Sequence, residues 1–336
     1  MIDAKTIKQI ALEAGADEVG VAPMSLWEGA PKQMDPRYAM PRAKSMIVMT
    51  HRIMRGSLRG VEEGTYYSSY SAMGYGYINQ KVFPWTAREA ARALENEGYE
   101  SMPLAYHFYG GAINTNDGKT WKGADGFSVP VREGLPRADV YMSIRIAGFL
   151  AGLGEIGYSK VFLSKKFGPR VRLACVLTDL ELEPDPIMPP GTLCNRCLAC
   201  VRQCPGQSIS ATKTVKINVA GYDIEWGELN EPGCNKAFVG AQAITGEDDP
   251  ADGDYLKWSP GFKPSFISPF KHKPETIHVT GQAICGGRGC MRACMISLEN
   301  RGVLENKFKN KFRRRPAWTV DWDKVREQEG SSPPDA

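Results

Sequence analysis

Cys194-Asn-Arg-Cys197-Leu-Ala-Cys200-Val-Arg-Gln-Cys204-Pro205 is the stretch on which the reading of this chain turns. Its spacing is C-x2-C-x2-C-x3-C-P, by which one tight loop holds three corners of a cubane [4Fe–4S] cluster. Four cysteines within eleven residues suit a cubane better than a structural zinc site, which usually takes two C-x2-C hooks separated by a spacer.

In proteins that carry two such clusters, the fourth cysteine of the run leaves on the following helix and binds the other cluster. Cys204 is therefore expected to part from its neighbours. A second group stands further on: Cys234 alone, then Cys285, Cys290 and Cys294 as C-x4-C-x3-C, with Gly286, Gly287 and Gly289 letting backbone wrap closely round sulfur. Reciprocal sharing puts Cys194, Cys197, Cys200 and Cys294 on one [4Fe–4S] cluster and Cys204, Cys234, Cys285 and Cys290 on the other. The ninth cysteine, Cys175, lies in the apolar run VRLACVLTDL and reads as a buried core thiol.

Outward from the cysteines, the composition is that of a folded protein. Of 336 residues, 42% are hydrophobic and 24% charged, which excludes a disordered or fibrous class. That length suggests about two domains. Met1 to Ala14 reads as an amphipathic helix with Ile2, Ile7, Ile10, Ala11 and Ala14 on one side. Asp3, Lys5, Lys8 and Glu13 interrupt it, so it is no secretory segment. No stretch approaches the roughly 20 apolar residues that cross a bilayer. A cytoplasmic protein without membrane contact is expected, and in a reducing compartment cysteines serve metal binding rather than disulfides.

Three parts are expected: 1–184, 185–300 and 301–336. The first alternates helix and strand patterns, including a helix over Thr86–Glu97 with Ala87, Ala90, Ala91 and Leu94 on one face, and strands over Met46–Thr50 and Val171–Thr178. A long Gly-, Asn- and Asp-rich loop spans Gly110 to Arg137. Pro184, Pro186, Pro189, Pro190 and Gly191 form a stiff linker before the cysteines. The third part opens on a basic run, Lys307, Lys309, Lys311, Arg313, Arg314 and Arg315, which reads first as a solvated segment and second as a patch for an acidic partner or nucleic acid.

Gly152-Leu-Gly154-Glu-Ile-Gly157 matches G-x-G-x-x-G, but a dinucleotide site needs a strand before it and a helix after it. The preceding residues, ADVYMSIRIAGFLA, read as helix. Close backbone packing against another cofactor, or a helix C-cap, fits better.

The ordered series AGLGEIG, FGPRVRLACVLTDLELEPD and CxxCxxCxxxCP resembles the cobalamin-dependent reductive dehalogenases and the related epoxyqueuosine reductases. IKQIALEAGADEVGVAPM is similar to the start of the latter. The resemblance covers about residues 5 to 300. It implies an α+β protein: a nitroreductase-like α/β corrinoid-binding core followed by a ferredoxin-like domain with two [4Fe–4S] clusters. It also implies base-off cobalamin, in accord with the lack of an Asp-x-His-x-x-Gly motif, and Gly152, Gly154 and Gly157 lying close to the corrin.

By that resemblance the clusters feed electrons to make Co(I), which acts on a carbon–halogen bond or an epoxide while a protein acid supplies a proton. Tyr106 and His107, or Tyr141 and Arg145, are the candidates for that acid and its basic neighbour. This chain departs from the family in an apparent insertion, Phe108 to Arg137, and in Met295, where proline usually follows the last cysteine. A cytoplasmic reductase of a small organic substrate, such as an organohalide, is expected, with ferredoxin or flavodoxin as donor. Two alternatives stand beside it: an epoxyqueuosine reductase-type enzyme that binds tRNA, and an electron-transfer protein without corrinoid.

Overall fold

The structure, a computed structural model, describes residues 2–30, 34–63, 66, 69–104, 142–204, 206–231, 233–234 and 289–313. Its centre is a sheet of four antiparallel strands in the order β1 (Glu18–Pro23), β2 (Ser45–Arg52), β6 (Val171–Thr178), β3 (Ser101–Leu104). The class is mixed helix and sheet. Two shorter pairs accompany it: β4 (Gly154–Ile156) with β5 (Phe162–Ser164), and β7 (Ile209–Val219) with β8 (Tyr222–Leu229).

The two central strands are apolar on both faces, and their period of two sorts the side chains into two cores. Met46 and Val48 of β2, with Leu173, Cys175 and Leu177 of β6, pack on α4 (Ile144–Leu150) together with Trp27, Ile224 and Trp226. Ile47 and Met49, with Ala174 and Val176, pack on the opposite side against α1 (Ala4–Glu13) and α3 (Phe83–Asn96). Near-continuous apolar strands are what a sheet covered on both faces requires. Cys175 is fully buried there, and burial pushes its thiol up. Pro103 sits in edge strand β3, where a missing N–H costs no ladder bond.

Expected and observed elements agree closely in this part. The helix expected at Thr86–Glu97 runs Phe83–Asn96 and buries Ala87, Ala90, Ala91 and Leu94. The strand expected at Met46–Thr50 extends to Ser45–Arg52, and that at Val171–Thr178 has those ends. The N-terminal helix begins at Ala4, where Asp3 accepts a hydrogen bond from the Thr6 N–H and so caps it. The Gly110–Arg137 loop lies outside the described residues.

A third cluster joins the first part of the chain to the cysteine region. Ile53, Leu58 and Val61, the last two on α2 (Arg55–Glu63), and Tyr70, Tyr75 and Ile78 of a π-helical stretch (Ser69–Val82) pack on Met291 and Met295 of α6 (Cys290–Arg301) and on Phe312. Ion pairs reinforce this contact. Arg55 holds Glu299 with two nitrogen-to-oxygen contacts of 2.8 and 2.9 Å, and Glu62 takes both Arg292 and Arg313. At the linker, Asp185 bonds through its backbone N–H to the Val21 carbonyl and through its carboxylate to the Val21 N–H and to Lys8. Among the described residues no helix is long and apolar enough to cross a membrane.

Candidate metal centre

The cysteine loop coils because two non-glycine residues, Arg196 (φ 55°) and Leu198 (φ 56°), take the left-handed conformation. Each such residue costs on the order of 1 kcal/mol, and the alternation brings backbone N–H groups to one side of the loop. Cys197 and the short helix α5 (Ala199–Arg202) bearing Cys200 follow from that coil.

Cys194, Cys197, Cys200 and Cys294 line one cavity, together with Tyr158, Ser159, Leu193, Ser297 and Arg301. Cys294 reaches it from α6, ninety positions after Cys204. Among the described residues no three His, Cys, Asp or Glu side chains meet at a single point. In a cubane each thiolate binds a different iron, so four sulfurs placed around a cavity suit that group chemically. Cys194, Cys200, Cys204 and Cys290 pack round one apolar cluster with Tyr158 and Ile209, and the charge of Cys204 bears on Cys234. Helix α6 carries Cys290 and Cys294 one turn apart. Cys285 lies outside the described residues.

Donors already surround the sulfurs. The Tyr158 N–H reaches Cys194 Sγ at 3.3 Å, the Ser208 N–H reaches Cys204 Sγ at 3.3 Å, and Ser297 Oγ lies 3.4 Å from Cys197 Sγ. Burial pushes Cys200 up to about 11, helped by the charge of Cys194, and burial with three thiolate neighbours carries Cys294 well above the thiol range. Cys234 is raised by burial and by Cys204. At Cys197, burial pulls upward, but Ser297, the Ala199 N–H and the charges of Arg202 and Arg301 outweigh it and hold the thiol below its usual value. Cys200 and Cys294, whose ionisation their cysteine neighbours penalise, lose that penalty once cations bind and take their protons' place.

Glu155, 1% exposed, organises the entry to this loop. Its carboxylate accepts from the N–H groups of Gly191, Leu193 and Cys194, fixing the backbone from which the first cysteine projects. The glycines around it make the recognisable motif; the signal for Glu155 is a lone acid inside the apolar run AGLGEIG. Ser297 and Arg301, which donates to the Leu193 carbonyl at 2.7 Å, carried no signal beyond helical spacing from Cys294.

The glycine segment itself runs helix then strand, the reverse of a dinucleotide site. Gly152 (φ 71°) ends α4: its N–H bonds the Phe149 carbonyl and the Leu153 N–H bonds the Gly148 carbonyl, a Schellman cap. A Cβ on Gly152 would stand 2.3 Å from the Pro186 oxygen, one on Gly154 1.9 Å from the Leu163 oxygen, and one on Gly157 2.9 Å from the Leu163 side chain. All three positions are filled by the chain's own packing, which accounts for glycine there without a corrin.

Tyr106, His107 and Tyr141 lie outside the described residues. Arg145 is exposed near the start of α4, and its charge bears on Cys234. Of the basic run, Lys307, Lys309 and Lys311 are solvated, whereas Arg313 is spent on Glu62 and Gln203; Arg314 and Arg315 lie outside the described residues.

No family model matches the chain. Curated relatives include tetrachloroethene reductive dehalogenases from Desulfitobacterium hafniense, 46% identical over 69 residues, and from Sulfurospirillum multivorans, 37% identical over 62 residues. These matches cover 20% and 18% of this chain and 12% of each relative's length. Similar solved structures include a reductive dehalogenase (TM-score 0.43, 21% identity, 70% of this chain and 29% of that chain). They also include the epoxyqueuosine reductase from Streptococcus thermophilus (TM-score 0.46, 14% identity, 100% of this chain and 96% of that one). The resemblance read from the sequence is borne out for the reductive dehalogenases by the curated relatives.

Proposed function

We propose that this chain is an iron–sulfur reductase of the reductive dehalogenase kind. Cys194, Cys197, Cys200 and Cys294 would hold one [4Fe–4S] cluster, and Cys204, Cys234, Cys285 and Cys290 the second, in a ferredoxin-like part behind a nitroreductase-like core. The observation that carries this reading is the cavity in which Cys294 completes the set begun by the C-x2-C-x2-C loop.

The chain's own residues have definable work at these sites. Glu155 fixes the loop, Arg196 and Leu198 coil it, and Ser297 with the N–H groups of Tyr158 and Ser208 donate to sulfur. Such hydrogen bonds stabilise the more negative, reduced form of a cluster and so raise its potential. Leu193, Leu298 and Leu163 wall the first site with apolar surface and exclude water. When bound, the clusters supply one-electron transfer and a base-off corrinoid the cobalt chemistry. The corrinoid half of the reading, with a small organic, possibly halogenated, substrate and the acid candidates Tyr106, His107, Tyr141 and Arg145, rests on the likeness to dehalogenases. The tRNA alternative would rest on the basic run, of which Lys307, Lys309 and Lys311 are exposed.

Anaerobic reconstitution with iron, sulfide and cobalamin, followed by metal analysis and paramagnetic resonance, tests the proposal. About eight irons and one base-off Co(II) signal per chain are expected. Iron without cobalt uptake would leave an electron carrier, and absence of iron would remove the reading altogether.

A further inference from the structure

We infer that the exposed side of the first cysteine cavity, rimmed by Arg196, Arg202, Arg301 and Lys216, is the docking surface for a small acidic one-electron carrier protein of the ferredoxin class. This rests on the cluster reading above and names the partner of that same site.

Cys197 is the exposed member of its four. Arg196 and Arg301 line the cavity beside it, and the charges of Arg202 and Arg301 bear directly on its sulfur. Arg202 and Arg301 have no carboxylate partner among the described residues. Arg196 does pair with Glu225, but Lys216 lies 3.9 Å from the same carboxylate, so two cations share one anion and the rim keeps a net positive charge.

The second cysteine group carries less of this charge. Cys234 is exposed as well, yet it faces the carboxylate of Glu231 together with Arg145, and Glu231 is itself 3.8 Å from Lys160. An acidic partner is therefore attracted more strongly to the Cys197 side, where four cations face one carboxylate, than to Cys234, where two face one. A basic rim round a redox centre raises the encounter rate with an acidic carrier by about 10- to 1,000-fold at low salt, an advantage lost as salt screens it. The transfer balances simply: the reduced carrier loses one electron, the first cluster gains it, and no bond or proton moves.

The test uses the full, reconstituted chain and stopped-flow mixing with an acidic ferredoxin held reduced photochemically. The second-order rate should fall steeply with ionic strength and drop about tenfold or more at low salt in Arg202→Glu and Lys216→Glu. Lys216 belongs to the β7–β8 hairpin and not to the cysteine loop itself, so its variant serves even if Arg202→Glu loads iron poorly. Reduction by methyl viologen radical cation, which the same rim repels, should be unchanged or faster in both variants. Ferredoxin rates indifferent to salt and to both substitutions would overturn the docking surface, as would an equal slowing with both reductants, which marks damage to the centre. Failure of the cluster reading is distinguishable, because the wild-type chain would then hold no iron and neither reductant would bleach it.

Discussion

Arg292, midway between Cys290 and Cys294 on α6, is ion-paired with Glu62 of α2, and neither side chain has any exposed surface. Arg313 closes on the same carboxylate at 2.7 Å. A buried pair of this kind holds α6 in register against α2, and breaking it leaves an uncompensated charge.

Glu62→Gln should therefore cost about 3–5 kcal/mol of stability, because two guanidiniums lose the carboxylate they share. Chemical denaturation of the variant against the wild type measures it. Arg292→Met, which removes one cation and leaves Arg313 on Glu62, should cost less, and the order of the two variants is the check.

Cys294→Ser should remove one cluster and spare the other, leaving about half of the iron, with Cys175→Ala as a control that keeps all of it. Iron and sulfide analysis reads both. Full iron in Cys294→Ser would disconnect α6 from the first site.

Glu155→Gln keeps one oxygen acceptor but loses the charge that three backbone N–H groups point at. A loss of about 1.5–3 kcal/mol is expected, with weakened iron retention on dilution with a chelator.

His51 gives the pH prediction. Its Nε2 lies 2.7 Å from Thr86 Oγ1, the ring stacks on Phe83, and burial lowers its pKa to about 4 from an ordinary 6.5. The folded state thus prefers the neutral ring. The unfolded chain takes up the proton first as pH falls, so stability is full above about 6.5 and declines down to about pH 4, by about 3 kcal/mol. Unfolding midpoints at pH 7 and pH 4.5 should converge more in His51→Phe than in the wild type; equal pH dependence in both would refute the assignment.

Gly152→Ala places a side chain at positive φ and 2.3 Å from the Pro186 oxygen. Its melting temperature should fall by an amount equivalent to about 2 kcal/mol or more, from conformational strain and displacement of the linker together.

Local pattern was a sufficient guide where burial is two-sided. The runs SMIVMTHR and VRLACVLT could only be central strands once helices were placed on both faces, and their ends fell within two residues of the expected ones. The first cysteine quartet was legible too, because three of its members are packed in seven residues. The β7–β8 hairpin was missed, although Ala220 and Gly221, both at positive φ, form the tight turn that an Ala-Gly pair between alternating segments allows. The ion pairs of Glu62 and Arg55 were not legible at all: they span 230 and 244 residues, and no short-range periodicity encodes them.

Asp185 has a consequence beyond joining two parts of the chain. Strand β1 is an outer strand of the sheet, and its Val21 would present both backbone groups outward. Asp185 occupies the two of them at 2.8 and 2.9 Å, as a second strand would. The proline-rich connector is thereby a guard against edge-to-edge association, since a foreign strand finds that position taken. A chain cut or lengthened just before Asp185 would be open to self-pairing there, and would be expected to aggregate before it unfolds.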